Sequence, residues 1–105
     1  MTLGCGGLFN PTGYRSNTGT YTGNSTANRA IAHGLGKVPV LVLIYDDAGY
    51  VGVIFPPSAE VCLISTHQQL AVTVADAVSF YVGNAGDYGI SQNNNAQAYR
   101  WVAIG

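Results

Sequence analysis

Beyond residue 19 the chain is broken into short β-branched or aromatic runs, each stopped by residues that favour turns. "TYT" runs into Gly23-Asn24-Ser25, "RAIAH" into Gly34-Leu35-Gly36, and "VPVLVLIY" into Asp46-Asp47-Ala48-Gly49. "YVGVIF" stops at Pro56-Pro57, and "EVCLI", "QLAVTVA", "VSFYVG" and "AYRWVAIG" follow. No segment keeps apolar residues at helical spacing over the roughly ten residues that a globular helix needs. The rhythm predicts an all-β chain, an antiparallel β-sandwich of about seven or eight short strands. A chain of 105 residues holds one core, so residues 19–105 read as a single sandwich domain.

The strands differ in what they bury. In "QLAVTVA", Leu70, Val72 and Val74 alternate with Gln69, Ala71 and Thr73, the period of two that turns one face to a core and the other to polar surroundings. The closing run sets Tyr99, Trp101 and Ala103 against Arg100, Val102 and Ile104, and so apolar a terminus is expected to be tied into a sheet. From Val38 to Tyr45 the alternation is lost. Both faces of that strand must then be covered, by the sandwich itself or by a neighbouring subunit. Val40, Val42, Ile44 and Trp101 are accordingly the expected oligomer contacts. Pro39 has no N–H to give a ladder and belongs at the start of its strand. Gly34 and Gly36 permit a sharp turn that bulkier residues would obstruct.

Residues 1–18, "MTLGCGGLFNPTGYRSNT", are dense in Gly, Asn, Pro and Thr and show no periodicity, which predicts an extended N-terminal arm. Its isolated Leu3, Leu8, Phe9 and Tyr14 cannot build a core and are the expected anchors on a neighbouring surface. Only 9% of residues are charged, against about 25% in ordinary soluble domains, and the net charge is -1. Four scattered Lys and Arg residues offer no electrostatic footprint for nucleic acid or an anionic membrane. So weakly charged a chain has little colloidal repulsion and is expected to be packed against copies of itself or against a larger surface. The longest apolar run is too short to cross a bilayer and no secretory signal opens the chain, so synthesis in the cytoplasm is expected. Of the two cysteines, Cys5 and Cys62, the second reads as a small buried hydrophobe, and no disulfide is indicated.

Candidate chemistry is sparse. Gly34-Leu35-Gly36-Lys37 lacks the glycine spacing, the Ser or Thr after the lysine, and the helix that a phosphate loop requires. His33 and His67 stand at no ligand spacing with each other, with Cys62 or with Asp76, so they are expected as polar residues at strand ends and no metal or cofactor is implied. Asp46 and Asp47 sit where a hairpin turn favours Asp and Gly for backbone reasons. Asn24-Ser25-Thr26 reads as a polar turn rather than a glycosylation site. No nucleophile signature supports catalysis. The stretch "GNAGDYGISQNNNAQ", Gly83 to Gln97, is a long loop of the kind that carries binding, with Tyr88 and Asn93 as its candidate ligand contacts.

"TANRAIAHGLGKVPVLVLI", Thr26 to Ile44, together with the closing "YRWVAIG", resembles β-sandwich modules of bacteriophage virion proteins, among them capsid decoration (cement) proteins and tail-fibre tips, and also H-type lectin domains. The likeness runs from about Gly19 to Gly105. It implies a virion-surface protein, usually a homotrimer. A chain beginning at its own Met1 with an extended arm is expected to be a cement protein, gripping the major capsid protein and stabilising the head lattice. The alternative is a fibre-tip module that recognises a host-surface glycan through the Gly83–Gln97 loop.

Overall fold

A computed structural model describes residues 14–105 and contains eight strands: β1 (Ser16–Thr22), β2 (Arg29–Ala32), β3 (Leu41–Asp46), β4 (Val51–Ile54), β5 (Glu60–Leu63), β6 (Gln68–Ala71), β7 (Ser79–Val82) and β8 (Ala98–Ile104). No helix occurs among the described residues. Six strands form one antiparallel sheet in the order β1-β8-β3-β4-β5-β6, while β2 and β7 make a two-stranded antiparallel ribbon. The ribbon packs on the large sheet as the second layer of a β-sandwich. Ile31, Phe80 and Val82 from the ribbon share one core with Val42, Ile44, Ile54, Val61, Tyr99, Trp101 and Ala103 from the sheet.

Aromatic packing organises this core. The Phe80 ring meets the Trp101 indole edge to face, with centroids 5.4 Å apart and planes at 70°, and Tyr21 stacks on Tyr99 at 5.0 Å. Trp101 pairs across the ladder with Gly19, where an added Cβ would stand 2.6 Å from the indole. Glycine at that position is what lets the indole lie over β1. Gly34 and Gly36 take φ values of 71° and 75°, as the turn reading required, and between them Leu35 drops into the core at 2% exposure.

Element ends depart from the sequence reading in three places. Ser16 to Thr18, expected in the arm, belong to β1 and pair with Ile104 to Val102. Their polar side chains carry no periodic signal, but backbone pairing needs none. Arg15 and Gly105 extend the pairing through reciprocal N–H to carbonyl bonds of 2.7 and 2.9 Å. At the other strand, Val38 to Val40 precede β3 rather than join it, since Pro39 offers no donor; Val38 and Val40 are each 48% exposed. Finally, β6 ends at Ala71: the Val72 N–H still bonds Ala59 O in the β5–β6 register, but the Thr73 N–H goes to Asn28 Oδ1, and Val74 points outward at 41% exposure.

Candidate functional site

Several of the described titratable residues are engaged in local backbone bonds. His33 is 1% exposed, and both ring nitrogens are engaged: Nε2 donates to the Asp76 carbonyl at 2.8 Å and Nδ1 accepts the Leu35 N–H at 3.1 Å. That pairing assigns the ring proton to Nε2 and makes the histidine a brace between the Gly34–Gly36 turn and the entry to β7. His33 directly follows β2, at a strand end as the sequence reading has it, and its burial is accommodated because both of its nitrogens find backbone partners. His67 lies exposed in the β5–β6 turn at φ 56°. Asp76 Oδ1 accepts the N–H groups of Val78 and Ser79, and Oδ2 accepts the Tyr81 hydroxyl. The Ser79 N–H above all, then Tyr81 and Val78, hold its carboxyl below the usual range. Asp46 Oδ1 accepts from Ala48 and Tyr50 N–H, as the hairpin reading requires. No group of three or more His, Cys, Asp or Glu side chains converges among the described residues.

The Gly83–Gln97 loop folds inward. Ser91, Gln92 and Asn93 are each 0% exposed. Asn93 Nδ2 donates to Asn24 Oδ1 at 2.9 Å and to the Thr26 carbonyl at 2.8 Å, while its Oδ1 accepts from Arg29 and from the Asn24 N–H. Asn93 is therefore a staple that ties the loop to the β1–β2 turn, and its amide is not available to an outside ligand. Tyr88, the other expected contact, is half-buried. The same bonds, with Ser25 at φ 51°, hold Asn24-Ser25-Thr26 in the connection between β1 and β2, whose turn falls at Ala27 and Asn28. Nothing in the sequence distinguished this asparagine from its neighbours Asn94 and Asn95, since only the fold brings residues 24–29 against it.

The outward face of the six-stranded sheet is apolar and partly exposed, with Leu41, Leu43, Val102 and Ile104 half-buried and Val53 buried at 4% exposure. Strand register sets Leu41 opposite Ile104, Leu43 between Val102 and Val53, and Val53 opposite Cys62, all on the side away from the β2–β7 ribbon. Val51 and Tyr45 continue the row toward the hairpin, and Phe55 and Ile64 project at its margin with 59% and 55% of their surface exposed. Cys62, expected in the core, lies half-buried on this face with its Sγ 3.5 Å from Gln69 Oε1. Arg100 and Glu60 stand at the ends of the patch rather than within it. An antiparallel sheet with one wet face ordinarily shows polar side chains there; β3, β4 and β8 show Leu, Val and Ile instead.

Of the expected oligomer contacts, Val42, Ile44 and Trp101 are sealed inside the chain's own core at 0%, 0% and 6% exposure, and of the four only Val40 is open. The correction is one of parity: neighbouring residues on a strand face opposite sides, so the outward set is Leu41, Leu43 and Tyr45. The signal was present in β8, whose non-core residues include Val102 and Ile104. Leu3, Leu8 and Phe9 lie outside the described residues, while Tyr14 is 54% exposed with the Lys37 ammonium 5.7 Å from its ring centroid. Comparison of the chain with family models, with curated proteins and with solved structures finds no match.

Proposed function

We propose that this chain is a structural module of a bacteriophage virion surface, a homotrimeric decoration protein that assembles through the outward face of its six-stranded sheet and stabilises the head lattice. The observation that carries the reading is the uncharged row of half-buried Leu41, Leu43, Val102 and Ile104, with exposed Phe55 and Ile64 at its margin and Val53 already buried at its centre. Isolated monomers rarely leave a continuous apolar sheet face in water, and covering it is worth about 25 cal/mol for each Å² of apolar surface removed. A copy of the same chain suits the patch, because low net charge raises little repulsion between copies and closed symmetric assemblies are the common way to bury such a face. The resemblance of Thr26–Ile44 and Tyr99–Gly105 to virion sandwiches supports the particle surface as the setting. The N-terminal arm would grip the major capsid protein.

Sedimentation equilibrium at micromolar concentration tests the assembly: a trimer is expected, and Leu43→Lys or Val102→Lys should release folded monomers. A wild-type monomer at that concentration overturns it. The capsid role is tested separately by removing residues 2–13, which spares the Arg15–Gly105 bonds. The truncated trimer should fail to bind undecorated particles, and undiminished binding would move the contact to the globular body.

A further inference from the structure

The end of the sandwich away from the Ser16–Ile104–Leu41 edge holds a pocket of roughly 270 Å³ between the β3–β4 hairpin, the β5–β6 turn and the Gly83–Gln97 loop. Its wall combines two tyrosines, Tyr50 and Tyr99, with Asp46 and Asp87, and with Gln68, Asn94 and Gln97. Each carboxylate spends Oδ1 on its own turn, Asp46 on Ala48 and Tyr50 N–H and Asp87 on Gly89 and Ile90 N–H, and neither Oδ2 accepts a bond from a described residue.

A contrast inside the same loop separates this pocket from ordinary polar surface. Asn84 and Asn93 are consumed by internal bonds, Asn84 Nδ2 to Ala71 O and Asn93 as described above. The side-chain amides of Asn94 and Gln97, and that of Gln68 across the pocket, bond to no other described residue. Tyr99 adds a further group. It is 1% exposed, its hydroxyl oxygen accepts the Asn94 N–H at 3.0 Å, and its proton has no acceptor among the described residues. Tyr50 is 44% exposed and brings an aromatic surface to the wall.

We propose that this pocket binds one uncharged, hydroxyl-rich ring, a neutral sugar residue. The chemistry selects it in three steps. No Lys, Arg or His lines the pocket, and two carboxylates do, so anionic sugars and phosphates are repelled. A bare cation would satisfy the carboxylates but leave the N–H donors of three amides idle, whereas each sugar hydroxyl both donates and accepts. Tyr50 supplies apolar surface for the C–H face of a ring, and the volume lies near the lower bound of about 300 Å³ for small-molecule pockets, a size for a single ring rather than a chain. Tyr88 and Asn93, the contacts expected from sequence, take no part. The site stands apart from the outward sheet face, so it neither needs nor excludes assembly through that face.

The test is titration of the full-length 15N-labelled protein with methyl glycosides of glucose, galactose, mannose and their N-acetylamino counterparts, with sialic acid, calcium chloride and lysine run in parallel. At least one neutral glycoside should give saturable amide shifts at millimolar concentration, confined to Ala48, Tyr50, Gly89, Ile90 and Asn94, with none from sialic acid. Asp87→Asn, which keeps the Oδ1 acceptor of the turn, and Gln97→Ala should each weaken that binding about tenfold while resonances of β2 and β7 stay in place. The proposal is overturned if no neutral glycoside saturates, if the shifts fall elsewhere, if both variants bind as the wild type does, or if only calcium or lysine binds.

Discussion

On the inner face of the six-stranded sheet, Val42, Ile44, Trp101 and Ala103 are almost fully enclosed, while on the outer face their chain neighbours Leu41, Leu43, Val102 and Ile104 keep part of their surface in water. The two sets are equally apolar and alternate along the same strands. What separates them is the layer opposite. The β2–β7 ribbon covers only the inner side, where it contributes Ile31, Phe80 and Val82. Hydrophobicity along β3 therefore marks two different surfaces, one closed within the chain and one left partly in water.

The inner face should carry the stability of the isolated chain. Trp101→Ala removes the indole that touches Phe80 and spans Gly19, and should cost about 3–5 kcal/mol in urea unfolding, a large part of the about 5–15 kcal/mol that holds an ordinary domain folded. A loss under about 1 kcal/mol would mean that the ribbon is not the layer that closes the core.

Alkaline pH probes the same face at the Tyr21–Tyr99 stack. Burial, reinforced by Tyr99, pushes the Tyr21 hydroxyl far above its ordinary range despite the opposing pull of Arg29, and burial also raises Tyr99. A folded-state pKa raised above the unfolded one leaves stability intact below about pH 10, the unfolded value, and erodes it as pH climbs toward the folded one. Thermal melts should therefore weaken above pH 10, and the decline should flatten in the Tyr21→Phe variant. An unchanged alkaline limb would show that this ionisation is not what limits stability there.

Next in size is the polar lid over the end of the core. Asn93→Ala strips partners from Asn24, Thr26 and Arg29 and should cost roughly 1–3 kcal/mol. Gln92→Leu should stay within about 1 kcal/mol of wild type, since Gln92 Oε1 is a buried acceptor without a partner among the described residues. Equal losses in chemical denaturation would erase the distinction between staple and filler.

The smallest effect is expected on the outer face. Leu43→Lys can lay its stem over Val53 and Val102 and place its ammonium in water, so the monomer's unfolding free energy should move by less than about 1 kcal/mol even as association is lost. A core-sized loss, measured by urea unfolding below the association concentration, would mean that the outer face is already closed within one chain.

Much of this was legible because local rules acted alone. The Gly34 and Gly36 turn, the Asp46 hairpin and the alternation of β8 each depend on residues a few positions apart, and each appears as read. The candidate contacts fared differently. Tyr88 and Asn93 were singled out by residue type in a long loop, yet whether an amide there faces inward or outward depends on strands about 70 residues earlier in the chain. The pocket amides Gln68 and Gln97 belong to separate segments and share a site only because the β5–β6 turn and the loop fold against the same hairpin.

By itself the sequence determined the all-β character, where the turns fall, and that β3 carries apolar side chains on both sides, because backbone preference and the two-residue period are properties of neighbouring residues. Only the tertiary structure decided which side of β3 the chain covers for itself. A one-residue change of parity exchanges Val42 and Ile44 for Leu41 and Leu43 without altering composition or pattern, and the choice rests on where a ribbon from residues 29–32 and 79–82 lands.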